Sequence, residues 1–136
     1  MIHNARKHVD SVVAEGLPAG RAYVPAGFFL GWAVENGLHN EEELAESEEW
    51  LHRFLDRSLT APELLAAFDG VIDDETLDET GYAFAEEYVG WNAGQYFSEL
   101  VRLFAVPSVW HVEDTWANFD RVRELLEARY AEWAAT

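Results

Sequence analysis

The chain has 136 residues, which suits a single domain, because two domains of half that length would each be marginally stable. Hydrophobic residues make up 49% of it and include six Trp, five Tyr and eight Phe, which excludes a disordered protein and predicts one packed domain over residues 1–136. The 26 Asp and Glu outnumber the nine Lys and Arg, and a net charge of −17 disfavours direct binding to nucleic acid or anionic membranes and favours a cationic partner.

Two helices are predicted before residue 38. Apolar residues at helical spacing indicate an amphipathic helix over Ala5–Glu15, and Gly16–Pro18 gives a stop signal. The segment Val24–Val34 is apolar on every side and closes at Asn36–Gly37. We expect this second helix to be buried all round and to form the centre of the fold.

Two further helices begin with capping signals. Asn40 is followed by three glutamates, a good N-cap with acids in the first turn, and an apolar stripe carries this helix to about Arg57. The segment Thr60–Glu63 has the spacing of a capping box and predicts a short helix through Leu64–Phe68, ended by Gly70.

The second half of the chain predicts an acidic loop and three helices. Val71–Thr80 reads as a loop or short helical turn, and a helix over Tyr82–Val89 is broken by glycines around Trp91–Asn92. Helices follow at Tyr96–Phe104 and at Trp116–Trp133, the longest periodic apolar pattern. Strand signals are almost absent. We therefore predict an all-α fold, a compact irregular bundle of about six to seven helices.

No catalytic or metal centre is indicated. The chain lacks cysteine, and no serine lies in a Gly-x-Ser-x-Gly turn. His3 and His8 are five residues apart, whereas a helical ligand pair needs a separation of four. His111 precedes Glu113 and Asp114, but we expect Asp114 or Thr115 to cap the helix that begins at Trp116, and Glu113 or Asp114 to fix the imidazole. We expect no metal, no cofactor and no enzymatic activity.

Acidic residues are concentrated in the middle of the chain. From Ser58 to Val101 there are ten acids and no Lys or Arg, an arrangement that costs stability by self-repulsion. A solvated face is one explanation, and a functional anionic surface is the other. The densest part of this stretch comprises Asp73, Asp74, Glu75, Asp78 and Glu79.

The tryptophans divide into two groups. Trp32, Trp50, Trp116 and Trp133 lie on apolar helical faces and are expected in the core. Trp91 lies between two glycines and Trp110 precedes a polar cluster, so these two are expected to be less buried than the other four and are the candidate interface anchors, although burial is still the favoured state of each. The predicted partner-binding residues are thus Asp73, Asp74, Glu75, Asp78, Glu79, Trp91, Trp110, Glu113 and Asp114.

Neither the N-terminal segment nor the longest apolar run predicts a secreted or membrane-spanning protein. Met1–Lys7 lacks the apolar segment of a secretion signal, and Val24–Val34 is about half as long as the roughly 20 residues that a membrane-spanning helix needs. We expect a soluble, cytoplasmic protein.

Two stretches, Ala26–Leu38 and Pro107–Trp133, carry a resemblance to a known group. With the acidic segment between them they resemble an uncharacterised bacterial family of small acidic helical proteins, a domain of unknown function, from about Leu17 onward. That resemblance implies a bacterial origin and a fold. Similar small acidic proteins occur as immunity partners of contact-dependent or secreted toxins.

The leading hypothesis is an immunity or antitoxin-like protein that binds and blocks a cognate basic toxin through its acidic surface. Acids would steer the encounter, and a few aromatics would supply lasting affinity. One alternative is a DNA-mimic inhibitor of a nucleic-acid-binding protein. Another is a hydrolase that uses unassigned carboxylates or His111.

Overall fold

The computed structural model describes residues 1–91 and 94–136; Asn92, which the sequence places in the break after the fifth helix, lies outside them. Within the described residues the fold is a helical bundle with one short two-stranded sheet, as the all-α prediction requires. The α-helices are α1 (Val9–Ala14), α2 (Val24–Glu35), α3 (Glu48–Leu55), α4 (Ala61–Ala67), α5 (Glu79–Tyr88), α6 (Tyr96–Phe104) and α7 (Trp116–Ala134). The strands are β1 (His3–Asn4) and β2 (Val71–Ile72), and 3-10 helices cover Ala5–His8, Ala19–Tyr23, Ala45–Ser47 and Val109–His111.

Helix α2 is the centre of the hydrophobic core, as predicted. Every residue from Val24 to Val34 is buried, because the segment carries no polar face to present to water. Pro25 occupies the first turn, where its missing N–H costs nothing, and Gly37 ends the segment with a φ of 68°. Although α2 is strongly apolar, no helix among residues 1–91 and 94–136 is long and apolar enough to cross a membrane.

Helices α2 and α4 approach each other closely at two glycines of α2, and at Gly27 the contact is with the backbone of α4. A Cβ added to Gly27 would lie 2.6 Å from Cα of Pro62, and one added to Gly31 would lie 2.8 Å from Cβ of Ala61. The same position at Gly31 faces the rings of Phe54 and Phe119, on α3 and α7. Both glycines thus permit close packing around α2, because a side chain at either position would collide with its neighbours.

The N-terminal segment is not one helix from Ala5 to Glu15. His3 and Asn4 pair antiparallel with Ile72 and Val71, and only the residues after His8 become α-helical. The Asn4 side chain accepts a hydrogen bond from the backbone N–H of Arg6 and so favours a tight turn over a straight helix start. This long-range pairing of two-residue strands leaves no periodic signal in the sequence.

The third helix begins later than predicted. The Asn40 side chain accepts from the N–H of Glu43, but it caps a turn, and α3 starts only at Glu48. Leu51 and Phe54 are buried in the core, whereas Trp50 is 40% exposed, so the prediction that Trp50 is a core residue is wrong. The Arg53 guanidinium lies 5.2 Å from the centre of the Trp50 ring, which partly covers this exposed aromatic.

The central part of helix α7 is buried in the core, whereas the aromatic residues at its two ends are not. Phe119, Val122 and Leu126 are fully buried, whereas Trp116 and Trp133 are only partly buried, contrary to the expectation that both are core residues. Polar partners explain the difference, because the Trp116 ring lies 4.4 Å below the Arg57 guanidinium and the Trp133 indole N–H donates to Glu87. The helix nevertheless covers α2 along its central turns.

The close approach of α2 and α4 predicts that Gly27→Ala destabilises the fold. The new methyl group would collide with the Pro62 backbone, and overpacking of this kind costs about 1–3 kcal/mol in free energy of unfolding, even though alanine favours helices. Urea unfolding should show the loss. Gly20→Ala is the control, since nothing lies within 4 Å of its Cβ position, and equal midpoints for the two variants would contradict the packing interpretation.

Candidate partner-binding surface and aromatic cluster

Two acids of the predicted cluster have structural roles in the loop between α4 and α5. Asp73 accepts from the N–H of Glu75 at 2.9 Å and closes a turn. Asp78 is the N-cap of α5 and accepts from the N–H of Gly81 at 2.8 Å. These charge-assisted hydrogen bonds stabilise the turn and the start of α5 and offset part of the repulsion between neighbouring acids.

Three segments bring carboxylates together at two adjoining clefts, which share Asn40, Asp78 and Glu79. The clefts have volumes of about 530 and 330 Å³. We call their carboxylates the acidic surface; it consists of Glu41, Asp74, Asp78, Glu79 and Glu86.

Backbone hydrogen bonds hold the acidic surface in one piece. Asn40 donates from its side-chain amide to the carbonyl of Asp74 at 2.9 Å and from its backbone to the carbonyl of Thr76 at 3.0 Å. The Asp78 N–H donates to the carbonyl of Leu38 at 2.9 Å. The turn after α2 therefore fixes Glu41 beside the acids that precede and begin α5.

Two acids of the predicted cluster lie outside the acidic surface. Asp73 and Glu75 line a separate cleft together with Asp69 and Glu43, and Arg6 from the N-terminal segment lies in the same cleft. A basic side chain thus stands beside these acids, although the sequence places the nearest Lys and Arg far away along the chain. The predicted cluster is divided between two surfaces with different charge balance.

Several acids on other helices form ion pairs with arginines. Glu99 is 7% exposed and accepts two hydrogen bonds from Nε of Arg129, at 3.0 and 3.1 Å. Arg123 pairs with Glu35 at 2.8 Å, and Arg57 with Asp120 at 2.9 Å. In the described part of the chain, no Lys or Arg forms an ion pair with any carboxylate of the acidic surface.

The structure brings Trp91 and Trp110 into one aromatic cluster with two histidines. The two indoles stack at 5.6 Å, and the His8 ring lies 4.2 Å from Trp91 and 5.3 Å from Trp110. His3 stacks on His8 at 4.9 Å with the planes only 4° apart. Trp91 is 43% exposed, although the sequence favours burial for both tryptophans, whereas Trp110 is buried because the stack covers it.

Glu113 and Asp114 lie apart from the acidic loop, beside Arg21. Arg21 donates from Nη1 to the carbonyls of Trp110 and His111 at 3.3 and 3.2 Å, and its Nη2 lies 3.8 Å from Glu113. Asp114 accepts from the Thr60 hydroxyl at 2.8 Å. Partial burial raises the pKa of the Asp114 carboxyl, the Thr60 hydrogen bond opposes this shift, and the nearby charge of Glu63 adds to it.

His111 is held by residues that the sequence did not assign to it. Its Nδ1 lies 3.2 Å from Oγ of Ser108 and 3.8 Å from Oε1 of Glu15, and the serine hydroxyl donates to that carboxylate at 2.6 Å. The expectation that Glu113 or Asp114 fixes this ring is therefore wrong, while Thr115 caps α7 as expected. In a Ser-His-acid triad the serine and the acid contact opposite ring nitrogens, whereas both approach Nδ1 here.

The predicted site residues omit Tyr82 and two carboxylates of the acidic surface, Glu41 and Glu86. Tyr82 lies between Glu79 and Glu86 at steps of three and four, which places all three on one face of α5, so helical spacing could have identified it. Glu41 joins the surface only through the contacts of Asn40 with the loop, and no local pattern reports those.

The buried histidine of the aromatic cluster predicts a pH-dependent stability. Burial, with a smaller effect of His8, lowers the pKa of His3 from 6.5 to about 4. The unfolded chain thus takes up a proton that the fold excludes, so stability falls as pH drops from 6.5 to about 4. His3→Phe should remove up to about 3 kcal/mol of this loss, measured by urea unfolding across the pH range.

The matched control is His52→Gln, which changes an exposed histidine on α3. It should keep the pH dependence of the unmodified protein. If His3→Phe gives a curve parallel to that of the unmodified protein between pH 4 and 6.5, the fold does not exclude the proton from His3.

A family model described as a domain of unknown function, DUF7832, matches residues 1–112. No curated protein and no solved structure matches the chain. The matched span contains the acidic surface and the aromatic cluster, and it includes the first sixteen residues, which the resemblance from about Leu17 left out. It ends before Glu113, Asp114 and α7. Since the match covers most of the chain, the protein belongs to the DUF7832 family of unknown function.

Proposed function

We propose that this protein is an immunity or antitoxin-like protein that binds a cognate basic toxin in the cytoplasm and blocks its active surface without catalysing a reaction. The observation that supports this proposal most is the acidic surface, whose carboxylates come from three segments and form no ion pair with any Lys or Arg in the part of the chain that the structure describes. Their mutual repulsion costs stability in the free protein and is relieved by a cationic partner.

The clefts suit the long basic side chains of such a partner. In the smaller cleft Leu77, Tyr82 and Ala83 supply apolar contact for an aliphatic stem, while Asp74 and Glu86 can accept the charged head. Lys and Arg need both surfaces, because their stems are apolar and only their tips are charged. Carboxylates at a surface also accelerate encounter with a basic protein.

Trp91 is the best candidate for a residue that slows dissociation. Its ring is held by contacts with His8, Trp110 and Phe97, so little conformational entropy remains to be lost on binding. Exposed, rigid aromatics of this kind often dominate the energy of an interface.

The acidic surface predicts a salt-dependent association rate. Glu41→Gln, Asp74→Asn, Glu79→Gln and Glu86→Gln remove four charges but spare the turn and cap formed by Asp73 and Asp78. Partners would be captured from the host at low salt, and association kinetics would then be measured across a salt series. The variant should associate about tenfold more slowly at low salt and respond less to salt.

A matched control removes four exposed charges elsewhere, by Asp10→Asn, Glu49→Gln, Glu124→Gln and Glu127→Gln. The control variant has the same net charge as the acidic-surface variant. If its association rate stays close to that of the unmodified protein, the slower association is due to the acidic surface. Equal slowing in both variants would mean that only net charge matters. If the protein instead competes with DNA for several unrelated DNA-binding proteins, the DNA-mimic alternative is favoured.

Trp91→Ala should act on dissociation. We expect the complex to dissociate at least tenfold faster, because an anchoring aromatic is lost, while the association rate changes little. Trp50→Ala is the control, since Trp50 is exposed to a similar extent, 40% against 43%, outside the aromatic cluster. Equal dissociation rates for both variants would exclude the aromatic cluster from the interface.

A further inference from the structure

A groove between the segment before α2 and the start of α4 is separate from the acidic surface. Its volume is about 490 Å³, within the range of small-molecule sites. The lining residues are Pro18, Gly20, Arg21, Tyr23, Val24, Pro62, Glu63, Ala66 and Asp114. Most of this wall is apolar, and the charged groups are confined to three side chains.

Two of these charged groups are carboxylates held by the same residue. Thr60 donates from its backbone N–H to Oε1 of Glu63 at 2.9 Å and from its hydroxyl to Oδ2 of Asp114 at 2.8 Å. One threonine thus fixes both acids at one end of an apolar groove. Within the described residues, the second oxygen of the Glu63 carboxylate and that of the Asp114 carboxylate accept no hydrogen bond.

The third charged group, Arg21, is already engaged. Its Nη1 donates to the carbonyls of Trp110 and His111, and its Nη2 approaches Glu113, which lies outside the groove lining. The guanidinium therefore closes the wall of the groove, and its charge is offset by Glu113. The net charge offered to a ligand by Glu63 and Asp114 is negative.

We propose that this groove binds a small organic cation, a primary amine carried on an apolar body. The ammonium group would lie against Glu63 and Asp114, and the body would pack on Tyr23, Val24 and Pro62. A carboxylate-bearing ligand would face two like charges, and a neutral ligand would leave them uncompensated. A bound cation would also relieve the repulsion by which Glu63 raises the pKa of Asp114.

The test uses three probes that share a phenylalkyl body: phenethylamine, 2-phenylethanol and 3-phenylpropanoate. Titration followed by NMR chemical-shift changes gives both affinity and location. We expect the amine to bind at least tenfold more tightly than the alcohol, since a charge-assisted hydrogen bond is stronger than a neutral one, and the carboxylate to bind most weakly. The shifts should map to Tyr23, Val24 and Ala66.

The double variant Glu63→Gln and Asp114→Asn keeps the oxygens that accept from Thr60 and removes both charges. It should reduce amine affinity about tenfold or more and leave alcohol affinity unchanged. Asp74→Asn with Glu79→Gln is the charge-matched control on the acidic surface and should leave the amine affinity as it is. If the double variant fails to fold, Ala66→Leu fills the groove from an exposed face of α4 and should abolish binding of the amine.

Three results would overturn the proposal: equal affinities for amine and alcohol, an unchanged amine affinity in the double variant or in Ala66→Leu, or shifts confined to the acidic clefts. None of these results bears on toxin binding, which depends on different residues. Conversely, loss of partner capture in the acidic-surface variant would leave amine binding to the groove intact, so the two proposals fail separately.

Discussion

Burial of α2 on every side requires neighbours that approach its backbone, and the two glycines of this helix make that approach possible. Gly27 admits the Pro62 backbone, and Gly31 admits Ala61 together with the rings of Phe54 and Phe119. Helices α3, α4 and α7 are thereby fixed against one surface. Because Thr60 caps α4, the position of that helix also sets the two carboxylates that Thr60 binds, so the groove depends on the packing of α2.

The distribution of charge follows from where the arginines lie. Arg121, Arg123 and Arg129 belong to α7, and two of them pair with acids of α2 and α6. Among the residues that the structure describes, no arginine pairs with the acidic surface, and the loop before α5 uses backbone N–H groups of Glu75 and Gly81 to stabilise Asp73 and Asp78. Hydrogen bonds within the loop thus maintain an order that repulsion between the carboxylates alone would disrupt.

The parts of the fold that follow from local chemistry could be predicted from the sequence. The capping box at Thr60 and Glu63, the apolar run of α2 and its glycine stop act within a few residues, and each was predicted correctly. Pairing of His3 with Ile72 and the contact of Asn40 with Asp74 join distant segments and leave no periodic trace. The sequence therefore predicts where the acidic loop lies along the chain. The division of its acids between two surfaces, and the position of Glu41 beside them, depend on long-range contacts that only the structure shows.

The aromatic cluster and the groove are connected through residues 110 and 111. The Trp110 ring stacks on Trp91, while its carbonyl accepts from Arg21, whose side chain forms one wall of the groove. Movement of Arg21 on binding a ligand would disturb two hydrogen bonds to this backbone, and the stacked rings resist such movement because they are packed against His8. The Arg21 guanidinium, which would otherwise neutralise Asp114, is held by the two carbonyls and by Glu113. The free-energy cost of keeping Arg21 apart from the Asp114 carboxylate is therefore met during folding, and the groove is preformed for a ligand.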